Sequence, residues 1–169
     1  QKLNSIPTTN FHGYPTLLCL FINFISKEKK CVILDYGGGT GFVFFSIYSH
    51  LIYHENITYK VIDINSKLFD IGNNYASDKG IRGEIHYATT LPKSNVSSID
   101  ILYMNTTLQY VDDYKSILIK LSQYQPSYII FTRLLITNGK TFTLKQNIQG
   151  KTCKCTFINF QEILEIFSN

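Results

Sequence analysis

Ile33-Leu34-Asp35-Tyr36-Gly37-Gly38-Gly39-Thr40-Gly41 is an apolar run that passes into four glycines within five residues and then into Phe42-Val43-Phe44. The order reads as a strand, a tight turn and the start of a helix. Glycines at 37, 39 and 41 let the main chain turn sharply and let a ligand approach it with no Cβ in the way. That geometry suits a nucleoside cofactor. The plain alternative is a tight turn with no ligand, but glycine loses more conformational freedom on folding than any other residue, and a plain turn does not require four. A dinucleotide fingerprint G-x-G-x-x-G starting at Gly37 needs glycine at position 42, where the chain has Phe42, so an NAD-dependent oxidoreductase is disfavoured. A phosphate-cradling loop needs Lys followed by Ser or Thr after its last glycine, and neither occurs here.

Outward from the loop, strand-like and helix-like segments alternate, the pattern of a mainly parallel sheet covered by helices. Cys31 to Tyr36, Tyr59 to Ile64, Glu84 to Tyr87, Ile99 to Met104 and Tyr128 to Leu135 are short β-branched and aromatic runs that read as five strands. Val43, Ile47 and Leu51, then Leu68, Ile71 and Tyr75, then Tyr114, Ile117, Leu118 and Leu121 recur at helical spacing and read as crossover helices. The second is expected to stop at Lys79-Gly80, and the third to start at Asp112 or Asp113 as N-cap. Before the first strand, Leu17, Leu18, Phe21, Phe24 and Ile25 predict a helix with one apolar face, Pro15 being suited to its first turn. At the other end Asn159-x-x-Glu162 resembles a capping box ahead of an amphipathic helix on Phe160, Ile163, Leu164 and Phe167.

At 169 residues, with 44% hydrophobic and 17% charged side chains, the chain is expected to fold as one domain, with residues 1–30 as a helical lead-in and 31–169 as the Rossmann-like core. The net charge of +4 is spread over scattered lysines, and the cluster Lys27-Glu28-Lys29-Lys30 contains its own acid, so no nucleic-acid patch is read from it. A single Cys153-x-Cys155 without a second pair or nearby histidines is a poor zinc signature, and all four cysteines read as reduced thiols of a cytoplasmic protein. Leu17 to Ile25 is too short to span a membrane, and no signal peptide is evident. Three Asn-x-Ser/Thr matches, at Asn56, Asn95 and Asn105, read as chance in an Asn-rich chain. The start at Gln1 rather than Met reads as a trimmed chain or a fragment.

Asp35, two residues before Gly37-x-Gly39-x-Gly41, makes the stretch resemble motif I of the class I S-adenosylmethionine-dependent methyltransferases. Asp63, closing the second strand, stands where a carboxylate in this architecture accepts hydrogen bonds from ribose hydroxyls; the alternative is a cap for the helix from Ser66. Its neighbour Ile64 is counted with it as a cofactor residue. Ala88-Thr-Thr-Leu-Pro92 resembles the family's stretch near the adenine amino group, with Thr89 in the usual acidic position. Asn105 to Asp113 resembles the segment that closes over the cofactor and reaches substrate, with Gln109 where many members carry histidine; glutamine cannot take a proton. Leu34 to Gly41, Leu108-Gln-Tyr-Val-Asp-Asp113, Phe131-Thr-Arg133 and Phe157 to Glu162 together look like a bacterial methyltransferase family with a D-[FY]-G-G-G-x-G loop. The resemblance covers most of the chain from Asp35 onward. It implies S-adenosylmethionine as cofactor, held by Asp35, Gly37, Gly38, Gly39, Gly41, Asp63, Ile64, Thr89 and Asn105, and a small-molecule or saccharide methyl acceptor. Class I domains usually finish with a strand hairpin after the last helix, and the chain is expected to lack it.

Methyl transfer from a sulfonium is an in-line displacement, so the protein mainly has to hold the nucleophile in line with the methyl group. The candidates at the acceptor are Tyr110, lining the pocket, Asp112, as base or merely a helix cap, and Arg133, fixing an anionic group in bidentate fashion or making a surface salt bridge. His12 and Tyr14 are candidates to cover the cofactor. A non-catalytic module that keeps the fold for binding is the rival that Gln109 and Thr89 favour.

Overall fold

The computed structural model describes residues 14–81, 83–93, 98–148 and 150–168. His12 and the sequon at Asn95 lie outside them, as do the side chains of Tyr14 and Pro15. The chain divides into two compact units, one up to Thr90 and one from Leu91.

The first unit runs α1 (Tyr14–Ser26), β1 (Cys31–Tyr36), α2 (Phe42–Ile47), β2 (Ile57–Ile62), α3 (Lys67–Asp78) and β3 (Ile85–Ala88). β1 pairs with β2, and β2 with β3, all parallel. The second unit runs β4 (Ile101–Asn105), α4 (Tyr114–Ser122), β5 (Tyr128–Thr132), β6 (Ile136–Thr137), β7 (Phe142–Ile148), β8 (Lys151–Asn159) and α5 (Phe160–Ser168). The strand order within the first unit is β3-β2-β1, and in the second β4 and β5 are parallel neighbours. This is the Rossmann-like α/β fold, its parallel strands separated by helical crossovers. Cys31, Ile33, Leu34 and Asp35 of β1 are all buried, the near-continuous burial of a parallel strand covered on both faces.

Several local expectations change in detail. α1 turns Leu18, Ile22 and Ile25 inward and leaves Leu17, Leu20 and Phe24 exposed. The helix is apolar nearly all round, so its period alone does not choose the face; packing on α2 and β1 does. α2 stops at Ile47, and the next turn is a 3₁₀ helix, Tyr48–His50, closed by Leu51 N–H donating to the Tyr48 carbonyl at 3.1 Å. Leu51 is buried all the same, from extended backbone. α3 ends at Asp78, with Lys79 as its C-cap and Gly80 at φ +70°, so the Lys79-Gly80 stop is met although the lysine caps the helix rather than lying in its last turn. It buries Gly72 and Ala76, whereas Ile71 is exposed.

The larger difference lies at 136–159, where the sequence reading places no strands. β6-β8-β7 form a second small sheet, with β7 and β8 antiparallel from Phe142↔Phe157 to Ile148↔Lys151. β7 is exposed along its whole length, so it lacks the buried apolar face that marks the other strands. The signal was the turn: two alternating runs joined through Gln149-Gly150, with Gly150 at φ +78°. This hairpin precedes α5, whereas the hairpin expected to be missing would follow it.

α5 starts at Phe160, and Asn159 just before it accepts the Gln161 N–H on its Oδ1 at 2.7 Å. Glu162 does not complete a capping box. Its carboxylate accepts the Tyr114 hydroxyl at 2.7 Å and the Thr141 hydroxyl at 2.8 Å, and pairs with Lys115 at 2.7 Å. These donors hold its pKa down at about 2, with Lys115 the largest cause, then Tyr114 and Thr141. Glu162→Gln is expected to cost about 1–2 kcal/mol at neutral pH, the partly exposed ion pair itself being worth little. A depressed pKa stabilises the fold above the ordinary glutamate range and loses that contribution as pH falls toward 2, so the gap between the two proteins should close in acid. Urea melts at neutral pH and at pH near the lower value check this.

Candidate functional site

In the first unit the carboxyl ends of β1 and β2 bring the glycine loop against Asp63. Gly37, Gly39 and Gly41 sit at φ +77°, +57° and +78°, a region that L side chains rarely adopt. Gly37 N–H donates to the Ile62 carbonyl at 2.7 Å, and Gly41 N–H to the Gly38 carbonyl at 2.9 Å, so the loop is a closed turn locked to β2. Gly39 N–H donates to Asp63 Oδ2 at 3.0 Å, and Asn65 N–H to Asp63 Oδ1 at 2.9 Å. Asp63 therefore organises the turn before α3, whose N-cap is Ser66, and each of its oxygens keeps acceptor capacity. Ile64 beside it is 92% exposed, an aliphatic side chain offered to solvent.

The four glycines do different things. Among the described residues a Cβ on Gly39 would meet only Leu68 Cδ1, at 3.6 Å, so these residues leave open space over its Cα. A Cβ on Gly38 would strike the Asp35 carboxylate. One on Gly41 would come within 2.6 Å of Ile85 Cδ1 and 2.9 Å of the Tyr87 hydroxyl. Asp35 lies beneath the loop, 1% exposed; its Oδ2 accepts the Tyr59 hydroxyl at 2.8 Å, and its Oδ1 has no hydrogen-bond partner among the described residues. Burial pushes its pKa up to about 7; the Tyr59 hydrogen bond opposes the shift, and the charge of Asp63 adds to it.

Two residues that the sequence reading did not single out hold the loop from the other side. Tyr87 of β3 donates its hydroxyl to the Thr40 carbonyl at 2.7 Å, and Gly72 of α3 gives that hydroxyl room. Burial, then the charge of Asp35, raises the Tyr87 pKa, so it stays a protonated donor. A helical glycine on a buried face was the available signal. Thr89, just past β3, is exposed.

In the second unit a polar cluster caps the carboxyl ends of β4 and β5. Asn105 Oδ1 accepts the Thr132 hydroxyl at 2.9 Å and the Thr106 hydroxyl at 3.1 Å. Thr106 and Arg133 both adopt the left-handed region, at φ +55° and +54°. Non-glycine residues held there cost energy and persist where surroundings impose them. Those surroundings are Thr106 N–H donating to the Thr132 carbonyl at 3.0 Å, and Gln109 Nε2 donating to the Arg133 carbonyl at 3.2 Å. Gln109 is 3% exposed and its Oε1 has no partner among the described residues, so its side chain serves the backbone of Arg133.

Tyr110 is partly exposed and donates its hydroxyl to Gln146 Oε1 of β7 at 3.2 Å. The helix cap at α4 is Asp113, which accepts the Ser116 N–H at 3.1 Å. Asp112 is not the cap; it meets Lys154 at 3.2 Å with both side chains largely exposed. Two open grooves of about 380 and 510 Å³ run along α4 and α5, and none of the candidate residues lines them. The described residues hold no cluster of His, Cys, Asp and Glu fit for a metal ion.

The fold is that of several solved structures. A S-adenosylmethionine-dependent methyltransferase from Clostridium acetobutylicum superposes with a TM-score of 0.61 over 95% of this chain and 80% of that one, at 10% identity. The N-terminal domain of EvdMO1, crystallised in the presence of SAH and D-fucose, gives 0.62 over 95% and 73%, at 12% identity. The chain has the class I methyltransferase fold. PH0226 protein from Pyrococcus horikoshii is also similar, with a TM-score of 0.61 over 90% and 77% at 13% identity. No family model matches the sequence, and no curated protein matches it.

Proposed function

We propose that the chain binds S-adenosylmethionine on the glycine loop and Asp63, and directs its methyl group to a small-molecule or saccharide acceptor. The observation that carries this reading is the Gly39 N–H to Asp63 hydrogen bond at 3.0 Å, with open space above Gly39. It holds a carboxylate at the lip of a turn that offers bare main chain. The residues fit the cofactor's groups. Both Asp63 oxygens can still accept from ribose hydroxyls, and exposed Ile64 offers an apolar surface to a base. When bound, the cofactor supplies an activated methyl on a sulfonium. EvdMO1, solved with SAH and D-fucose, lends the saccharide acceptor its support.

On the acceptor side, Tyr110 with its raised pKa stays protonated at neutral pH and serves as a hydrogen-bond donor, and Arg133 fixes an anionic group of the acceptor. Asp112 is exposed and ion-paired, which suits it to orient an acceptor hydroxyl or amine; Thr89 and Asn105 complete the cofactor set. The likeness to the bacterial family rests on Leu108-Gln-Tyr110 and Thr132-Arg133. Cofactor binding without turnover is the second reading, favoured by Gln109, which is buried and cannot take a proton.

Calorimetric titration of S-adenosylmethionine and, separately, of oxidised nicotinamide dinucleotide tests the cofactor assignment that both readings share, and methyl transfer to an added acceptor separates the two. Selective S-adenosylmethionine binding is expected, weakened about 100-fold by Asp63→Ala, the loss appropriate to two hydrogen bonds on a charged acceptor. Nicotinamide binding, or none in a well-folded sample, overturns the proposal.

A further inference from the structure

We infer that the free end of the β7–β8 ribbon is a latch that occupies the two acceptor-side residues Tyr110 and Asp112, and that it must lift before Tyr110 can donate to an acceptor. The inference rests on the acceptor-side reading of these residues. A phenol has one hydrogen to give. The Tyr110 hydroxyl gives it to Gln146 Oε1 of β7 at 3.2 Å, so the same hydrogen is withheld from an acceptor. Lys154 of β8 meets Asp112 at 3.2 Å and competes for its carboxylate. By register Gln146 lies opposite Cys153, and Lys154 opposite Lys145, so the two contacts come from opposite faces of the ribbon.

The segment that carries Tyr110 and Asp112 is placed without the ribbon's help. Leu108 and Gln109 before it are buried, and Gln109 is tied to the Arg133 carbonyl. Val111 N–H donates to the Leu108 carbonyl at 3.1 Å. Asp113 caps α4 through the Ser116 N–H. Bonds on both sides of the two residues therefore fix their backbone, and what the ribbon adds is occupancy of their side chains.

The ribbon itself is anchored at one end only. Cys155, Thr156 and Ile158 are buried, and β8 pairs with β6 at Ile136↔Ile158. Beyond them Phe142 to Ile148, Lys151, Thr152 and Lys154 are exposed. An isolated two-stranded hairpin is marginal in water, so this end takes its position from the side chains it touches. Both contacts are solvent-exposed, where an ion pair is worth little and a hydrogen bond is readily exchanged for water. Lys145 and Lys154 also face each other across the strands, where like charges repel. Two such contacts favour the closed over the lifted form by about tenfold, within the range of minor states that ligands draw on.

The test is amide relaxation dispersion on the ¹⁵N-labelled full chain, which reads exchange on the microsecond to millisecond scale. One exchange process shared by residues 144–148 and 151–154 is expected, with the lifted form at about one-tenth. Gln146→Leu with Lys154→Gln should raise the lifted-to-closed ratio about tenfold, bringing the two forms near equality. Tyr110→Phe keeps the ring but has no hydrogen to give, and should raise the ratio about threefold. Gln146→Glu keeps an acceptor and should leave the ratio near that of the wild type. All three positions are exposed, so unchanged thermal melts will show that the variants remain folded. A ribbon without exchange overturns the proposal, as does a ratio that neither the double variant nor Tyr110→Phe changes. An equal rise in Gln146→Glu and Gln146→Leu also overturns it. The measurement uses neither cofactor nor acceptor, so failure of the latch and failure of the methyl-transfer reading are seen separately.

Discussion

Replacing Gly72 by alanine is expected to destabilise the protein by about 3 kcal/mol, although the same change in an exposed helix interior would stabilise it by about 1 kcal/mol. α3 packs so closely on β3 and the loop that a Cβ at this position runs into the Tyr87 hydroxyl and the Thr40 carbonyl. The hydroxyl belongs to a side chain, but the carbonyl belongs to the main chain of the glycine loop, which the Gly37 and Gly41 hydrogen bonds hold closed. Tyr87 must therefore release its 2.7 Å hydrogen bond to Thr40, or α3 must lift. Either response loosens the turn that carries Gly39 and Gly41. Thermal melts of Gly72→Ala and of Gly72→Ala with Tyr87→Phe check this. The second variant removes the hydroxyl and should recover part of the loss, leaving the cost of the Thr40 contact. A wild-type melting temperature for Gly72→Ala would show that the helix approaches less closely.

Asp35→Asn should remove a pH dependence of stability worth about 4 kcal/mol in the wild-type protein. The carboxyl titrates at about 7 when folded, against 3.8 ordinarily, because it is buried and Asp63 adds its charge, the Tyr59 hydroxyl only partly offsetting this. The folded protein thus holds this proton more tightly than the unfolded chain. Its contribution is fully present below pH 3.8 and is lost as pH rises through about 7. Wild-type stability should fall across that window relative to the asparagine variant, which keeps the shape and the Tyr59 partner but has no charge to bury. Urea denaturation at several pH values between about 4 and 8.5 reads the difference. Parallel curves would mean that Asp35 is solvated in the folded protein. Tyr36 and Tyr87 also face this region, but burial raises both phenols and keeps them neutral throughout the window.

Asp35 and Gly72 act on one piece of structure, the turn between β1 and α2. One sits under the loop as an acid and the other beside it as a missing side chain. Open space over Gly39 stays usable by a ligand only while these close contacts hold the turn in place, so stability and cofactor affinity should move together in Gly72→Ala.

Much of this was legible along the chain. Five parallel strands, the turn at Gly37 to Gly41, the end of α3 at Gly80 and a cap at Asp113 are written in local periods, in glycine's backbone freedom and in the capping preferences of short polar side chains. Residues within a few positions of one another decide such features, and their order along the chain is enough to read them. Which groups meet across the fold is different. Asp63 reaches Gly39 from 24 residues away, Tyr87 reaches Thr40 from 47, and Gln109 reaches the Arg133 carbonyl from 24. Strand register and helix packing set those pairs, and a one-residue slip would turn each strand side chain to the opposite face. The inward face of α1 and the hairpin at β7–β8 were hidden for related reasons. An almost uniformly apolar helix has no period to read, and a strand that buries nothing shows no core-facing stripe, so only tertiary packing could decide them.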